Sequence, residues 1–224
     1  MTLEESLAYV QFVQDCGLSG VDLCVALGSA PAQVRRLQLS QVRVELLNRI
    51  NRPGYWWALS EGFVDAEVMF IGEAPGEMEA RLHRPFVGPA GRALQAIITQ
   101  LGLSRNDCAF ANAVPCIPPR AKPTDPRDAA PFLDLLLSEV ALTRPRLCVI
   151  LGAFASEAIV QVRTERFSEI AGTFTLDVVP GVPTLLAYHP AAGLRRAELG
   201  RRLAVQLSDA YARVAALVSL EGVR

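Results

Sequence analysis

The sequence predicts an α/β fold: a central, mostly parallel four-stranded sheet with helices on both faces, preceded by a helical segment over residues 1–60. Two observations predict it. From residue 66 onward, short apolar runs alternate with stretches of helical periodicity, the pattern of strands joined by crossover helices and covered on both sides. Three of those runs end on Gly72-Glu73, Asn112 and His189. In such sheets ligands bind outside the C-terminal ends of the strands. That convergence points to one site.

The elements follow in order. Leu7, Val10 and Val13 recur at helical spacing, as do Val34, Leu37, Val42, Leu46 and Leu47, with Ser29 to Pro31 marking a helix start between them. Asn51-Arg52-Pro53-Gly54 is a turn. Tyr55, Trp56 and Trp57 then lock the N-terminal helices onto the body or, alternatively, stack on bases. Strands are expected at 67–71, 109–114, 147–151 and 184–188, and an extended hairpin arm at 173–179. Helices are expected at 91–101, 132–142, 154–162 and 194–218. The domain division is an accessory segment over 1–60 and an α/β domain over 61–224.

Composition narrows the class. Hydrophobic residues make up 51% and charged residues 20%, which excludes a disordered chain. The longest apolar runs are too short to cross a bilayer, and the start MTLEESLAYV lacks the layout of a signal peptide. The expected location is the cytoplasm, in association with the nucleoid. A net charge of −1 argues mildly against nucleic acid, unless the basic residues cluster. They do so at Arg81, Arg84 and Arg92, and again at Arg195, Arg196, Arg201 and Arg202. Solvated helix and loop faces are the plainer account of both groups. The five cysteines, Cys16, Cys24, Cys108, Cys116 and Cys148, form no C-x-x-C pair, and Cys148 sits inside an apolar run as a small core residue.

Four segments carry candidate chemistry. Gly72-Glu-Ala-Pro-Gly76 is a rigid turn whose amides can approach a ligand; an ordinary strand–helix turn is the alternative. Arg84-Pro-Phe-Val-Gly-Pro-Ala-Gly91 is a stiff loop presenting Phe86 either as a platform for a planar base or as a plug in the core. Asn112, at a strand end, offers a donor and an acceptor that match one pyrimidine edge, or caps a turn. His189 follows a strand and is one of two histidines; a structural role is its alternative, and His83 lies in a polar loop.

In order along the chain, GEAPGEME, RPFVGPAGRAL, NAVPCIPP, LGAFA and YHPAAGLRR resemble the family 4 uracil-DNA glycosylases, the iron–sulfur branch of that superfamily, over about residues 62–205. The resemblance implies a parallel sheet between helices and excision of uracil from single- or double-stranded DNA, leaving an abasic site. Single strands, where flipping is cheap, are the easier substrate. It implies roles for individual residues as well. Gly72, Glu73 and Ala74 form the floor of the site, with Glu73 positioning or activating water. Phe86 stacks on the flipped uracil, and Asn112 reads its edge. His189 stabilises charge developing on O2 of the departing base. Leu194 fills the hole left in the duplex, Arg195 contacts phosphate, and Gly88 and Arg92 occupy DNA-binding positions. Such chemistry needs no nucleophile when aimed donors stabilise the uracil anion.

The sequence departs from the family in its metal framework. Four cysteines hold the family's [4Fe–4S] cluster, and only Cys116 matches one of their positions. The fourth position is Ala130, no cysteine lies between Val42 and Trp57 where a C-x-x-C belongs, and Cys16 and Cys24 are too far upstream. The expectation is no cluster, no metal and no other cofactor, with the Trp-bearing segment as the brace. Ala80 and His83 also replace the family's usual acidic residue and glycine. Three readings follow. The first is an active glycosylase. The second is a cluster-less, catalytically weak or inactive relative that binds DNA or a repair or replication partner, with the N-terminal helices as the candidate partner surface. The third is a doubly wound domain holding a small ligand at its switch point.

Overall fold

A computed structural model describes residues 29–118, 121–123, 125–161 and 166–221. The helical spacing of Leu7, Val10 and Val13, and the positions of Cys16 and Cys24, lie outside the described residues. The chain order is α1 (Ala32–Ile50), β1 (Trp56–Trp57), β2 (Val68–Gly72), α2 (Glu77–Leu82), α3 (Pro89–Gln100), β3 (Cys108–Asn112) and β4 (Cys116–Ile117). It continues with α4 (Leu133–Thr143), β5 (Leu147–Leu151), α5 (Gly152–Val160), β6 (Phe174–Val179), β7 (Val182–Ala187), α6 (Pro190–Arg195) and α7 (Ala197–Glu221).

The main sheet has five strands in the order β3-β2-β5-β7-β6, and β1 pairs with β4 in a separate two-stranded ladder. The expected count of four is therefore corrected. The four parallel strands are those read from the apolar runs. The fifth is the hairpin arm: β6 returns to pair antiparallel with β7 through the turn at Pro180-Gly181, with Phe174 opposite Leu185 and Val179 opposite Val182. A tight turn suffices for an antiparallel neighbour, so the arm extends the sheet edge without a crossover helix.

Every residue of β2, β3 and β5 is buried, as a sheet covered on both faces requires. Side chains alternate between two apolar layers. Met69 and Ile71 of β2 face the layer that includes Leu135, Leu136 and Val140 of α4 and Leu39 and Leu46 of α1. Val68 and Phe70 face the layer formed by Leu94 and Ile98 of α3 and Leu203, Leu207 and Val214 of α7. The strand order reverses direction at β2, whose neighbours are β3 on one side and β5 on the other. That reversal opens a crevice at the C-terminal ends of the strands.

Helix boundaries differ from expectation where local caps decide them. The single helix expected over 194–218 is two helices. Pro190 starts α6 directly after β7, and extended Arg196 (φ −139°, ψ 102°) separates it from α7. A proline in the first turn is preorganised for the helix because its missing N–H has no partner there. The short helix α2 was not expected; it fills the segment between the first two glycine-rich motifs.

Candidate active site

The crevice is organised around Gly72, the last residue of β2, which pairs with Asn112 at the end of β3. A Cβ on Gly72 would lie 2.7 Å from Phe86 Cζ and 2.9 Å from Asn112 Oδ1. No side chain fits there, so the missing one is what lets the ring of Phe86 and the amide of Asn112 close on the same point. The following loop is tied to the neighbouring strand end. Ala113 N–H donates to the Gly72 carbonyl and Val114 N–H to that of Glu73, both at 2.9 Å.

Phe86 is held in a strained conformation. Its φ is +53°, the left-handed region that a bulky side chain avoids at about 1–2 kcal/mol. Three groups hold it there. Arg105 donates to the carbonyls of Pro85 (2.6 Å) and Phe86 (3.1 Å). The Arg105 guanidinium also lies 4.2 Å above the Phe110 ring and bonds Glu61 at 2.6 Å. Glu79 Oε1, on α2, accepts the amide N–H groups of Val87 (3.0 Å) and Gly88 (2.7 Å). Gly91 allows the carbonyl of Phe86 to pass where a Cβ would sit, 2.0 Å away. The loop is thus a rigid mount for one aromatic ring, whose centroid is 6.3 Å from that of His189.

Asn112 is 7% exposed, and its Nδ2 has no hydrogen-bond partner among the described residues. His189 caps α6 with its ring: Nδ1 accepts the Ala191 N–H at 3.2 Å. With Nδ1 occupied as an acceptor, the neutral ring carries its proton on Nε2. Loss of solvent around the ring, with a smaller contribution from the Arg195 cation, pulls its pKa down to about 4, so the neutral form holds at physiological pH. Glu73 is partly buried. Burial raises its pKa above the ordinary carboxylate range, and the nearby Lys122 cation opposes that rise.

Glu73, Ala74, Phe86, Asn112, His189, Leu194 and Arg195 line one cleft of about 450 Å³, together with Lys122 and Trp56. Of the residues singled out by sequence, Gly72 lies behind this lining, against Phe86 and Asn112. Gly88 caps α3 against Glu79. Arg92 is exposed on the first turn of α3, apart from the residues that line the cleft. Leu194, 56% exposed, and Arg195 stand at the cleft mouth at the end of α6.

Sequence reading missed the work of Glu79, Arg105 and Lys122. Glu79 and Arg105 reach across eight and twenty residues to backbone groups, which no periodicity reports. Lys122 did carry a signal: it is the only lysine in the chain.

A four-thiolate cluster does not fit the described residues. The thiol of Cys116 donates to the Ile50 carbonyl at 3.1 Å, and burial raises its pKa. The end of α1 and β1 therefore occupy the space beside it, with Trp57 opposite Cys116 in the β1–β4 ladder. Cys108 and Cys148 are buried in strands of the main sheet, their thiols pushed up to about 12 by desolvation. No group of three or more His, Cys, Asp or Glu side chains suited to a metal ion occurs among the described residues.

A family model, the Uracil DNA glycosylase superfamily, matches residues 59–210. A type-4 uracil-DNA glycosylase of Pyrobaculum aerophilum is 33% identical over 144 residues, covering 62% of this chain and 74% of that protein. One from Thermotoga maritima is 32% identical over 149 residues, covering 66% and 74%. One from Sulfurisphaera tokodaii is 35% identical over 154 residues, covering 64% and 68%.

Proposed function

The chain belongs to the uracil-DNA glycosylase superfamily, and from that premise we propose that it flips uracil out of DNA and hydrolyses its N-glycosidic bond, leaving an abasic site. The observation that carries this reading is the tautomer of His189. Its Nδ1 is taken by the Ala191 amide, which leaves Nε2–H as the donor of a neutral ring in the cleft that also holds Phe86 and Asn112.

The chemistry follows from charge. Breaking the bond leaves a cation-like sugar and a uracil anion. A donor aimed at O2 of that anion stabilises the transition state more than the ground state. A neutral imidazole suits this role, because the hydrogen bond from its Nε2–H strengthens as charge develops on the acceptor, without a proton having to move. Phe86 supplies the stacking face for the extruded base. Asn112 Oδ1, on the Phe86 side of Gly72, accepts N3–H of uracil. Glu73, whose carboxylate form Lys122 favours against the effect of burial, orients the water that attacks C1′. Leu194 occupies the vacated stack and Arg195 pairs with backbone phosphate.

This reading includes a cluster-free scaffold, supported by the Cys116–Ile50 contact where the family's cluster ligands belong. Iron bound stoichiometrically to purified protein, with cluster absorbance in the visible, would overturn that part alone.

The test of function is excision from uracil-containing oligonucleotides, single- and double-stranded, followed by alkaline cleavage. Strand breaks at the uracil position are expected with both. Measurable DNA binding with no product from either would favour the reading of a binding protein instead.

A further inference from the structure

Asn112 also lines a much smaller cavity, which shares no other lining residue with the cleft. Its volume is about 10 Å³, the room one water molecule needs. Ser60, Asn112 and Glu139 line it, closed in by Leu46, Phe132 and Leu136. Ser60 reaches this place because Glu61 bridges Phe110: Glu61 N–H donates to the Phe110 carbonyl (2.9 Å), and the Glu61 carbonyl accepts the Phe110 N–H (2.8 Å). Glu139 reaches it from α4, where it is 1% exposed.

The polar wall of this cavity has a direction. Ser60 Oγ donates its one proton to Glu139 Oε1, and Arg43 Nε donates to the same oxygen at 3.2 Å. With its proton committed, the Ser60 oxygen has only lone pairs left. Burial raises the Glu139 pKa, and the Arg43 cation and the Ser60 hydroxyl oppose that rise; both donate to Oε1, which is therefore an acceptor too. Asn112 lines the same cavity, and its Nδ2 is a buried donor without a partner among the described residues. A wall that presents the Ser60 lone pairs and a carboxyl oxygen already accepting from two donors favours the NH2 end of an amide over its oxygen.

We propose that Ser60 and Glu139 are positioning residues that fix the rotamer of the Asn112 amide across this cavity, through one enclosed water, and so impose the selection of uracil over cytosine. With Nδ2 held inward, Oδ1 is held toward Phe86 and the cleft. Uracil presents N3–H to that oxygen. Cytosine presents an N3 lone pair, which repels it. The flipped amide would have the opposite preference. This inference rests on the glycosylase reading above.

The experiment measures kcat/KM for uracil and for cytosine excision by wild-type protein, Ser60→Ala, Glu139→Gln, Asn112→Ala and the Ser60→Ala/Asn112→Ala double variant, with thermal unfolding followed in each. Releasing the amide should narrow the uracil-to-cytosine preference by about ten- to a hundredfold in Ser60→Ala, the scale of one correctly oriented base contact. Adding Ser60→Ala to Asn112→Ala should change nothing further, because the two act through one amide. A folded Ser60→Ala with unchanged preference, or additive losses in the double variant, overturns the inference and leaves the glycosylase reading intact. Glu139→Gln, which keeps the volume and removes the fixed acceptor, gives the same answer if Ser60→Ala fails to fold. A wild-type chain that excises no uracil overturns both.

Discussion

Glu79 and Gly88 are joined by a 2.7 Å hydrogen bond from the Gly88 amide to the Glu79 carboxylate, and this bond links the two glycine-rich motifs. Glu79 follows the first motif on α2 and Gly88 belongs to the second, next to the strained Phe86. A Cβ on Gly76 or Gly88 would come within 2.8 and 3.0 Å of the same carboxylate. The carboxylate is thus the common anchor of both loops. Glu79→Ala removes an acceptor shared by two amides, each such bond to a charged group worth about 1.5–3 kcal/mol. Excision should fall about ten- to a hundredfold, because the aromatic mount loosens. Glu79→Gln keeps an acceptor oxygen and should recover most of the loss. Equal losses in both variants would mean that charge, not loop anchoring, is what Glu79 supplies.

Gly72→Ala tests the convergence at the end of β2. The new Cβ would press on Phe86 Cζ and Asn112 Oδ1 together and push both toward the cleft that they line. Overpacking of this kind costs about 1–3 kcal/mol of stability. The effect on uracil excision should exceed the effect on stability, since the two displaced groups are the stacking platform and the base reader. A variant with normal excision and a lowered unfolding temperature would place the crowding elsewhere.

The strand ends that build the site were legible because each is an apolar run cut short by glycine or a polar residue, as at Gly72, Asn112 and His189. The two-faced burial behind them was legible for the same reason. What the sequence did not reveal were contacts made between one side chain and distant backbone. The positive φ of Phe86 depends on Arg105, nineteen residues away, and nothing local at Phe86 requires it. The fifth strand was visible as an extended arm, but its pairing depended on a turn whose partner strand the pattern alone did not assign. Glu139 reads as an ordinary polar residue of an amphipathic helix. Its burial comes from α1 and the Ser60 segment closing over α4.

The pH response should have two parts. Glu73 is held above the ordinary carboxylate range, so acidification protonates it early and removes its action on water. Lys122 favours the carboxylate, so Lys122→Gln should move the acid limb of kcat toward higher pH. An unmoved limb would separate Lys122 from Glu73. His189 has the opposite shift, down to about 4. Between that value and the ordinary histidine value of about 6.5, the unfolded chain binds this proton and the folded chain does not. Its contribution to stability is therefore complete above the unfolded value and is lost as pH falls through the folded one. Unfolding by denaturant at stepped pH should show His189→Ala with a weaker pH dependence than wild type across that window. The same substitution removes the donor to the departing base and should cut excision about 10²–10³-fold at neutral pH.

Leu194 and Arg195 make the final test because they stand at the mouth of the cleft and outside the core. Leu194 is 56% exposed, so its side chain is accessible at the edge of the site. As a wedge it has work only in a duplex, where extruding a base leaves a gap in the stack. Leu194→Ala should therefore depress excision from double-stranded DNA about tenfold or more while leaving single-stranded excision within about twofold, on the scale of a lost stacking contact. Arg195→Ala should weaken both substrates and lower the slope of log affinity against log salt by about one, as the loss of one phosphate contact requires. Equal losses of Leu194→Ala on both substrates would assign the side chain to the cleft wall instead of the duplex.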